Sequence, residues 1–147
     1  MKYLKQLIMI AGLSMIATAA AACGLSEKVD GYENTDVQHT WQHWIAGDKS
    51  PVPFMLLDVR TAEEYAEGHI KGAVLIPVQE LEQRISEVPK DKQVYVYCRS
   101  GVRSARASNM LVKAGYTRIE NVQGGFTAWE DAGYPVETGI ETANGRK

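Results

Sequence analysis

The sequence predicts an α/β domain in which a central, mostly parallel sheet of about five strands carries helices on both faces. Three observations predict it. Short apolar runs bounded by turn residues, at Phe54–Val59, Ala73–Ile76, Gln93–Tyr97 and Arg118–Val122, alternate with segments of helical period, and strands separated by helices pair in parallel beneath them. The chain of 147 residues is 45% apolar with 16 Lys and Arg against 18 Asp and Glu, a balance that excludes a disordered tail, a collagenous repeat and a polytopic membrane protein. Its first 22 residues hold two Lys and no acid, leaving 125 residues with 14 basic and 18 acidic side chains. That is one acidic domain, large enough for a single core and too small for two. A net acidic body gives no reason to expect nucleic acid as a partner.

Met1–Lys5 is short and basic, Leu7–Ala22 is free of charge, and Ala20-Ala21-Ala22 precedes Cys23-Gly24. This is the anatomy of a secretory signal peptide over residues 1–22. Small residues before Cys-Gly are similar to a lipobox, in which Cys23 becomes the acylated first residue of a lipoprotein, although Ala20 stands where such boxes usually carry Leu. Ordinary cleavage after Ala22 and an uncleaved anchor are the other readings, the charge-free run falling short of the roughly 20 residues that span a bilayer. All three place the domain outside the cytoplasm, in a periplasm or cell envelope, and the first ties it to a membrane through Cys23. Residues 23–34 are polar and aperiodic and read as a tether, with the domain over 35–136.

Val37, Trp41, Trp44 and Ile45 recur at helical spacing, predicting a helix over Asp36–Ala46 with Thr35 as its cap and Gly47 as its stop. His39 and His43 lie four apart on it; with no Glu after the first His and no third ligand evident, they read as a solvated pair and not a metal grip. Phe54–Val59 is a buried strand. Thr61-Ala62-Glu63-Glu64 is a capping box opening a short helix to Glu67, closed by Gly68. Ala73–Ile76 is a strand stopped by Pro77, Val78–Ser86 a helix with Leu81 and Ile85 inward, and Gln93–Tyr97 a central strand. Gly101–Ala114 is the strongest helix, with Ala107, Met110, Leu111 and Ala114 on one face, Arg106, Asn109 and Lys113 on the other, and Gly115 at its end. Arg118–Val122 is a strand, Phe126–Asp131 a helix and Gly133–Val136 a closing extended segment; residues 137–147 form a polar, frayed tail.

Only two cysteines occur, Cys23 and Cys98. They could bridge in an oxidising compartment, but a lipidated Cys23 leaves Cys98 a lone thiol there. Cys98 follows the central strand directly and precedes Arg99-Ser100-Gly101-Val102-Arg103-Ser104 as the helix begins, the kind of strand-to-helix junction where ligands bind in such sheets. Amides of a tight loop turned toward the sulfur, the helix start, and the charges of Arg99 and Arg103 each favour thiolate over thiol. From Cys98 through Arg118 stand five basic residues and no acid, a field that attracts a small anion. The alternative is that Cys98 is a small core filler, with Arg103 pointing inward to pair with Asp58 or Glu64.

Cys98-Arg99-Ser100-Gly101-Val102-Arg103-Ser104 resembles the active-site loop of the rhodanese family. Leu57-Asp58-Val59-Arg60, Glu64-Tyr65, Gly68-His69-Ile70-Lys71-Gly72-Ala73 and Ile76-Pro77 resemble its N-terminal signature. Gly124-Gly125-Phe126, Ala128-Trp129 and Gly133-Tyr134-Pro135-Val136 resemble its C-terminal one. The match runs in register from about Asp36 to Val136; Leu75 stands where the family commonly has Asn. The resemblance implies a thiosulfate sulfurtransferase. Cys98 would take the outer sulfur of thiosulfate as a persulfide and hand it to cyanide or a thiol. The amides of Arg99, Ser100, Gly101, Val102 and Arg103 would hold the persulfide, and the Arg99 and Arg103 side chains the sulfonate end of the donor. No cofactor or metal enters that chemistry. Asp58, Arg60 and His69 match signature positions and read as scaffold.

Two other functions share these residues. One is a persulfide carrier that turns over thiosulfate poorly. The other is a phosphatase or arsenate reductase of related fold, which would use five residues between its Cys and its anion-binding Arg, whereas Cys98 and Arg103 have four between them and Ser104 stands where the longer loop puts its Arg. A shorter ring of amides suits one terminal sulfur better than a tetrahedral oxyanion.

Overall fold

The structure is a computed structural model that describes residues 27–29 and 31–139. The signal peptide and Cys23 lie outside the described residues. Strands β1 (Glu27–Val29), β2 (Tyr32–Thr35), β3 (Phe54–Asp58), β5 (Val74–Leu75), β6 (Gln93–Tyr97) and β7 (Ile119–Val122) form one sheet in the order β1-β2-β7-β6-β3-β5. Five of its strands are parallel, and β1 closes one edge as an antiparallel hairpin with β2. Helices α1 (Val37–Ala46), α2 (Ala62–Glu67), α3 (Leu81–Arg84), α4 (Val102–Lys113) and α5 (Gly125–Asp131) connect the strands, while β4 (His69–Ile70) and β8 (Val136–Glu137) pair as a separate two-stranded ribbon.

The two-residue period of the strands sorts the core into two layers. Leu57, Val59, Val94, Val96 and Ile119 meet Leu81 of α3 and Ala107 and Leu111 of α4 on one face. Leu56, Tyr95, Tyr97 and Val122 meet Phe126 and Trp129 of α5, and Trp41 and Trp44 of α1, on the other. Leu81, Leu111 and Trp129 are fully buried, each side chain contributing about 1.5–3 kcal/mol by its removal from water. Both faces of the sheet are therefore covered, as the alternation of strands and helices predicts.

Several boundaries differ from the sequence reading. The stretch read as a tether over 23–34 contains β1 and most of β2, and β2 pairs in parallel with β7 through Glu33 opposite Glu120. Thr35 is the last ladder residue of β2, its carbonyl accepting from the Gln123 amide at 2.8 Å, so Asp36 caps α1 instead, its carboxylate accepting from the His39 amide at 2.7 Å. The helix expected over Val78–Ser86 is held to Leu81–Arg84 plus a 3-10 turn over Ile85–Glu87, because the Val78 amide donates to the Val59 carbonyl at 3.1 Å and keeps that residue at the sheet. Glu137, expected in a frayed tail, pairs with His69 in the ribbon. On α1 the ring of His39 lies 4.9 Å from that of His43, and its Nε2 is 3.7 Å from Glu120 of β7. His39 is thus not simply solvated; among the described residues no three His, Cys, Asp or Glu side chains gather as a metal set.

Candidate active site

The connection leaving β3 runs through α2 to β5 on one side, and that leaving β6 runs through α4 to β7 on the other. Carboxyl ends that diverge in this way leave a crevice, the usual ligand position in an open parallel sheet. Cys98 sits in it, one residue past β6 and only 1% exposed, a free thiol.

The loop from Cys98 to the start of α4 is closed by Gly101, whose φ of +108° lies in the left-handed region open to glycine. That turn aims the Gly101 amide at Cys98 Sγ, 3.2 Å away. One turn into α4 the Ser104 hydroxyl approaches the same sulfur at 3.5 Å and the Gly101 carbonyl at 3.0 Å. A serine has one hydroxyl proton, so these two acceptors compete for it, and a charged sulfur is the stronger of the two. Burial pushes the Cys98 thiol up; the Ser104 hydroxyl and the amides of Ser104, Gly101 and Ser100 outweigh it, and the net shift is down. The loop amides expected from the sequence are among the groups that lower it, and the Ser104 hydroxyl joins them.

A second layer keeps the amides aimed. The Cys98 and Arg99 carbonyls turn away from the sulfur and accept from the Phe126 amide at 2.8 Å and the Thr127 amide at 3.0 Å, at the start of α5. That approach leaves no room at Gly125, where a Cβ would fall 2.3 Å from the Cys98 carbonyl oxygen. Gly124-Gly125, noticed in the sequence only as part of a resemblance, thereby has a physical role.

The remaining site residues divide. Arg99 and Ser100 are exposed at the loop mouth, and the Val102 side chain is 77% exposed, offering nothing to the sulfur. Arg103 does not present a free cation to a donor: its two terminal nitrogens donate to the Glu64 carboxylate at 2.6 and 2.7 Å. This is the inward pairing that the sequence left open beside the substrate-binding role. The Arg103 hydrogen bonds hold the Glu64 carboxyl down to about 2, and Glu64 also completes the α2 capping box by accepting from the Thr61 amide at 3.1 Å. One carboxylate thus joins α2 to α4.

Asp58, Arg60 and His69 are framework. Arg60, 1% exposed, donates to Asp58 at 2.6–3.0 Å and to the Gly68 carbonyl at 2.7 Å, with its guanidinium 4.1 Å from the Phe126 ring centroid. It clamps β3, the end of α2 and the start of α5 together beneath the loop. His69 stacks on Tyr65 at 3.6 Å, and its Nδ1 lies 2.9 Å from the Tyr65 carbonyl; a carbonyl only accepts, so that nitrogen carries the proton. Sequence reasoning missed Ser104 as a ligand of the sulfur. Its signal was helical spacing, since a residue two past a helix start at Val102 faces back toward the loop.

A family model for the rhodanese-like domain matches residues 40–132. The chain belongs to the rhodanese family. It is 44% identical over 82 residues to a sulfurtransferase of Allochromatium vinosum, a match covering 56% of this chain and 77% of that one. It is 38% identical over 85 residues to the thiosulfate sulfurtransferase PspE of Escherichia coli, covering 56% and 70%. It spans smaller shares, 59% and 40%, of two Bacillus subtilis relatives. Among solved structures, a rhodanese-related protein of Thermoplasma volcanium superposes with a TM-score of 0.64 at 31% identity, over 72% of this chain and 98% of that one. The rhodanese fold and membership of a sulfurtransferase family follow, as the three motifs of the sequence imply.

Proposed function

We propose that this rhodanese is a thiosulfate sulfurtransferase working through a persulfide on Cys98. The observation that carries the reading is the set of donors on Cys98 Sγ, from the Gly101 amide at 3.2 Å and the Ser104 hydroxyl at 3.5 Å, which shifts the balance from thiol toward thiolate with no separate base. The thiolate attacks the outer sulfur of thiosulfate; a sulfur–sulfur bond forms to Cys98, the bond inside the donor breaks, and sulfite leaves with the electron pair. The same donors then stabilise the anionic terminal sulfur. A nucleophile, cyanide or a thiolate, attacks that sulfur and Cys98 departs as thiolate, closing a ping-pong cycle. With Arg103 held by Glu64, Arg99 at the loop mouth is the side chain that meets the donor's sulfonate. The protein is exported, and Cys23 carries its lipid anchor.

Mass spectrometry of the domain after exposure to thiosulfate should find one added sulfur atom, on Cys98. Cys98→Ser should remove both that sulfur and thiosulfate:cyanide transfer while keeping the fold, a hydroxyl being no anionic nucleophile at neutral pH. Transfer retained by Cys98→Ser refutes the mechanism. Hydrolysis of p-nitrophenyl phosphate by the native protein, lost in that variant, would assign the loop to phosphoryl chemistry. A sulfur that loads from a partner protein but turns over slowly with every small donor would favour a carrier. Cys23→Ala should release the protein from membranes; unchanged partition refutes the anchor.

A further inference from the structure

The hairpin of β1 and β2 sets where the chain enters the domain. Glu27 pairs with Asn34, Asn34 with Asn121 and Asn121 with Val96, so these four residues form one row across the sheet, and Cys98 lies two residues beyond that row toward the carboxyl end. Because β1 runs antiparallel to β2 while the other strands of the sheet are parallel, the chain enters β1 from their carboxyl end, which is the end that carries the catalytic loop. Three strand spacings of about 4.8 Å put Glu27 about 14 Å from Val96, and two residues at about 3.3 Å each put Cys98 about 7 Å above the row. Cys23 stands four residues before Glu27, and a link of that length reaches at most about 14 Å when fully extended. A domain of this size is about 34 Å across. The link is therefore too short to pass from Glu27 around to the opposite pole, where Pro53 and Lys92 lead into β3 and β6.

We propose that the acylated protein is held with its catalytic mouth against the membrane, and that the partner of this face is the lipid surface itself. This rests on the Cys23 anchor proposed above and adds an orientation to it. With the link at full reach the row of Glu27 stands about 14 Å from the anchor and Cys98 about 7 Å, roughly the depth of one headgroup layer. Val102, 77% exposed and the most exposed of the large apolar side chains among the described residues, stands at this end, with Arg99 exposed near it. An apolar tip and a guanidinium suit the boundary between headgroups and acyl chains. Asp36 and Glu63 are exposed at the same end, so the face carries both signs, and it is the length of the link that holds it down, not attraction to charged lipid. The orientation puts a size limit on the reaction. Thiosulfate, cyanide and small thiols pass through a gap of this width, whereas a globular partner about 30 Å across does not.

The test presents one thiol in two sizes, N-acetylcysteine free in solution and the same thiol coupled to a large dextran, with thiosulfate as donor. The acylated protein is added to the outside of preformed phosphatidylcholine vesicles, and it is compared there with a variant carrying ten Gly and Ser residues inserted between Ser26 and Glu27. The lengthened link spans about 20 Å on average and lets the domain turn its mouth away from the lipid. The ratio of kcat/KM for the dextran thiol to that for the free thiol should be about tenfold lower in the native protein than in the lengthened variant, with the free-thiol values alike in the two. If the insertion at Ser26 disturbs β1, the same insertion after Gly24 carries the test. Equal ratios in the native and lengthened proteins overturn the orientation while the anchor and the persulfide on Cys98 stand. A mature chain whose Cys23 carries no lipid by mass spectrometry overturns the anchor and the orientation together.

Discussion

Replacing Gly125 by Ala separates the two things that this glycine does. Its φ of +54° is left-handed, which costs an L-residue about 1–2 kcal/mol. Its Cβ would also stand 2.3 Å from the Cys98 carbonyl oxygen and 2.9 Å from the Arg99 carbonyl carbon and oxygen, backbone atoms that have no rotamer by which to retreat. Relieving that overlap needs a shift of about 1 Å between α5 and the loop, and overpacking of this kind costs about 1–3 kcal/mol. The expected total is about 3 kcal/mol, a drop of about 12 °C in Tm for a domain of this size. The shift also pulls on the Phe126 and Thr127 amides that hold the Cys98 and Arg99 carbonyls outward, so the amides on the other side of those peptides lose their aim. A misplacement of about 1 Å is expected to lower kcat/KM for thiosulfate about 100-fold. Gly133→Ala is the control: its φ is +71° and a Cβ there meets nothing within 4 Å, so it reports backbone strain alone. Thermal melts and thiosulfate:cyanide kinetics on both variants decide the matter. Equal melting temperatures, with native kinetics in Gly125→Ala, would refute the claim that α5 sets the loop.

Ser104→Ala removes the hydroxyl from Cys98 Sγ, and the thiol should titrate at higher pH; alkylation by iodoacetamide at pH 6 should slow about fivefold to tenfold, and a rate profile that overlays the native one removes Ser104 from the site. The Glu64 carboxylate, held to about 2 against an ordinary 4.5, contributes stability that is fully present above pH 4.5 and is lost as pH falls toward 2. With Arg103 33% and Glu64 22% exposed, solvent reduces the pair to about 1–2 kcal/mol. The stability difference between the native protein and Glu64→Gln should therefore shrink between pH 4.5 and 2 in urea melts; a difference independent of pH contradicts the assignment.

The parts of this fold that were legible in the sequence are those whose physics is local. Thr61 and Glu64 are three apart and cap each other wherever the chain goes, and Gly115 follows a helix that its own apolar stripe defines. Cys98 could be placed because strand, loop and helix are contiguous around it. The hairpin of β1 and β2 is not legible because its stabilising partner is β7, with Glu33 opposite Glu120, and nothing in a polar stretch announces a ladder so distant in sequence. The ribbon of β4 and β8 is two residues deep on each side, too short for any period to register. Arg103 was undecidable for a like reason: whether it faces donor or core turns on Glu64, 39 residues earlier. That the loop amides turn toward the sulfur follows from a tight loop after a strand and is legible; that the Ser104 hydroxyl joins them is a tertiary fact.

The donors on Cys98 have a consequence for the chain before it folds. The Gly101 amide, the Ser104 hydroxyl and the clamp at α5 converge only when the strands, α4 and α5 are assembled. An extended chain, emerging from a ribosome, carries at residue 98 a thiol of ordinary acidity, mostly protonated and slow toward electrophiles. Reactivity is acquired at the end of folding, when the sulfur has also become almost inaccessible and only narrow reagents can reach it. Maturation thus arms the cysteine and shields it in one event, and a chain that misfolds does not release an aggressive nucleophile into its surroundings.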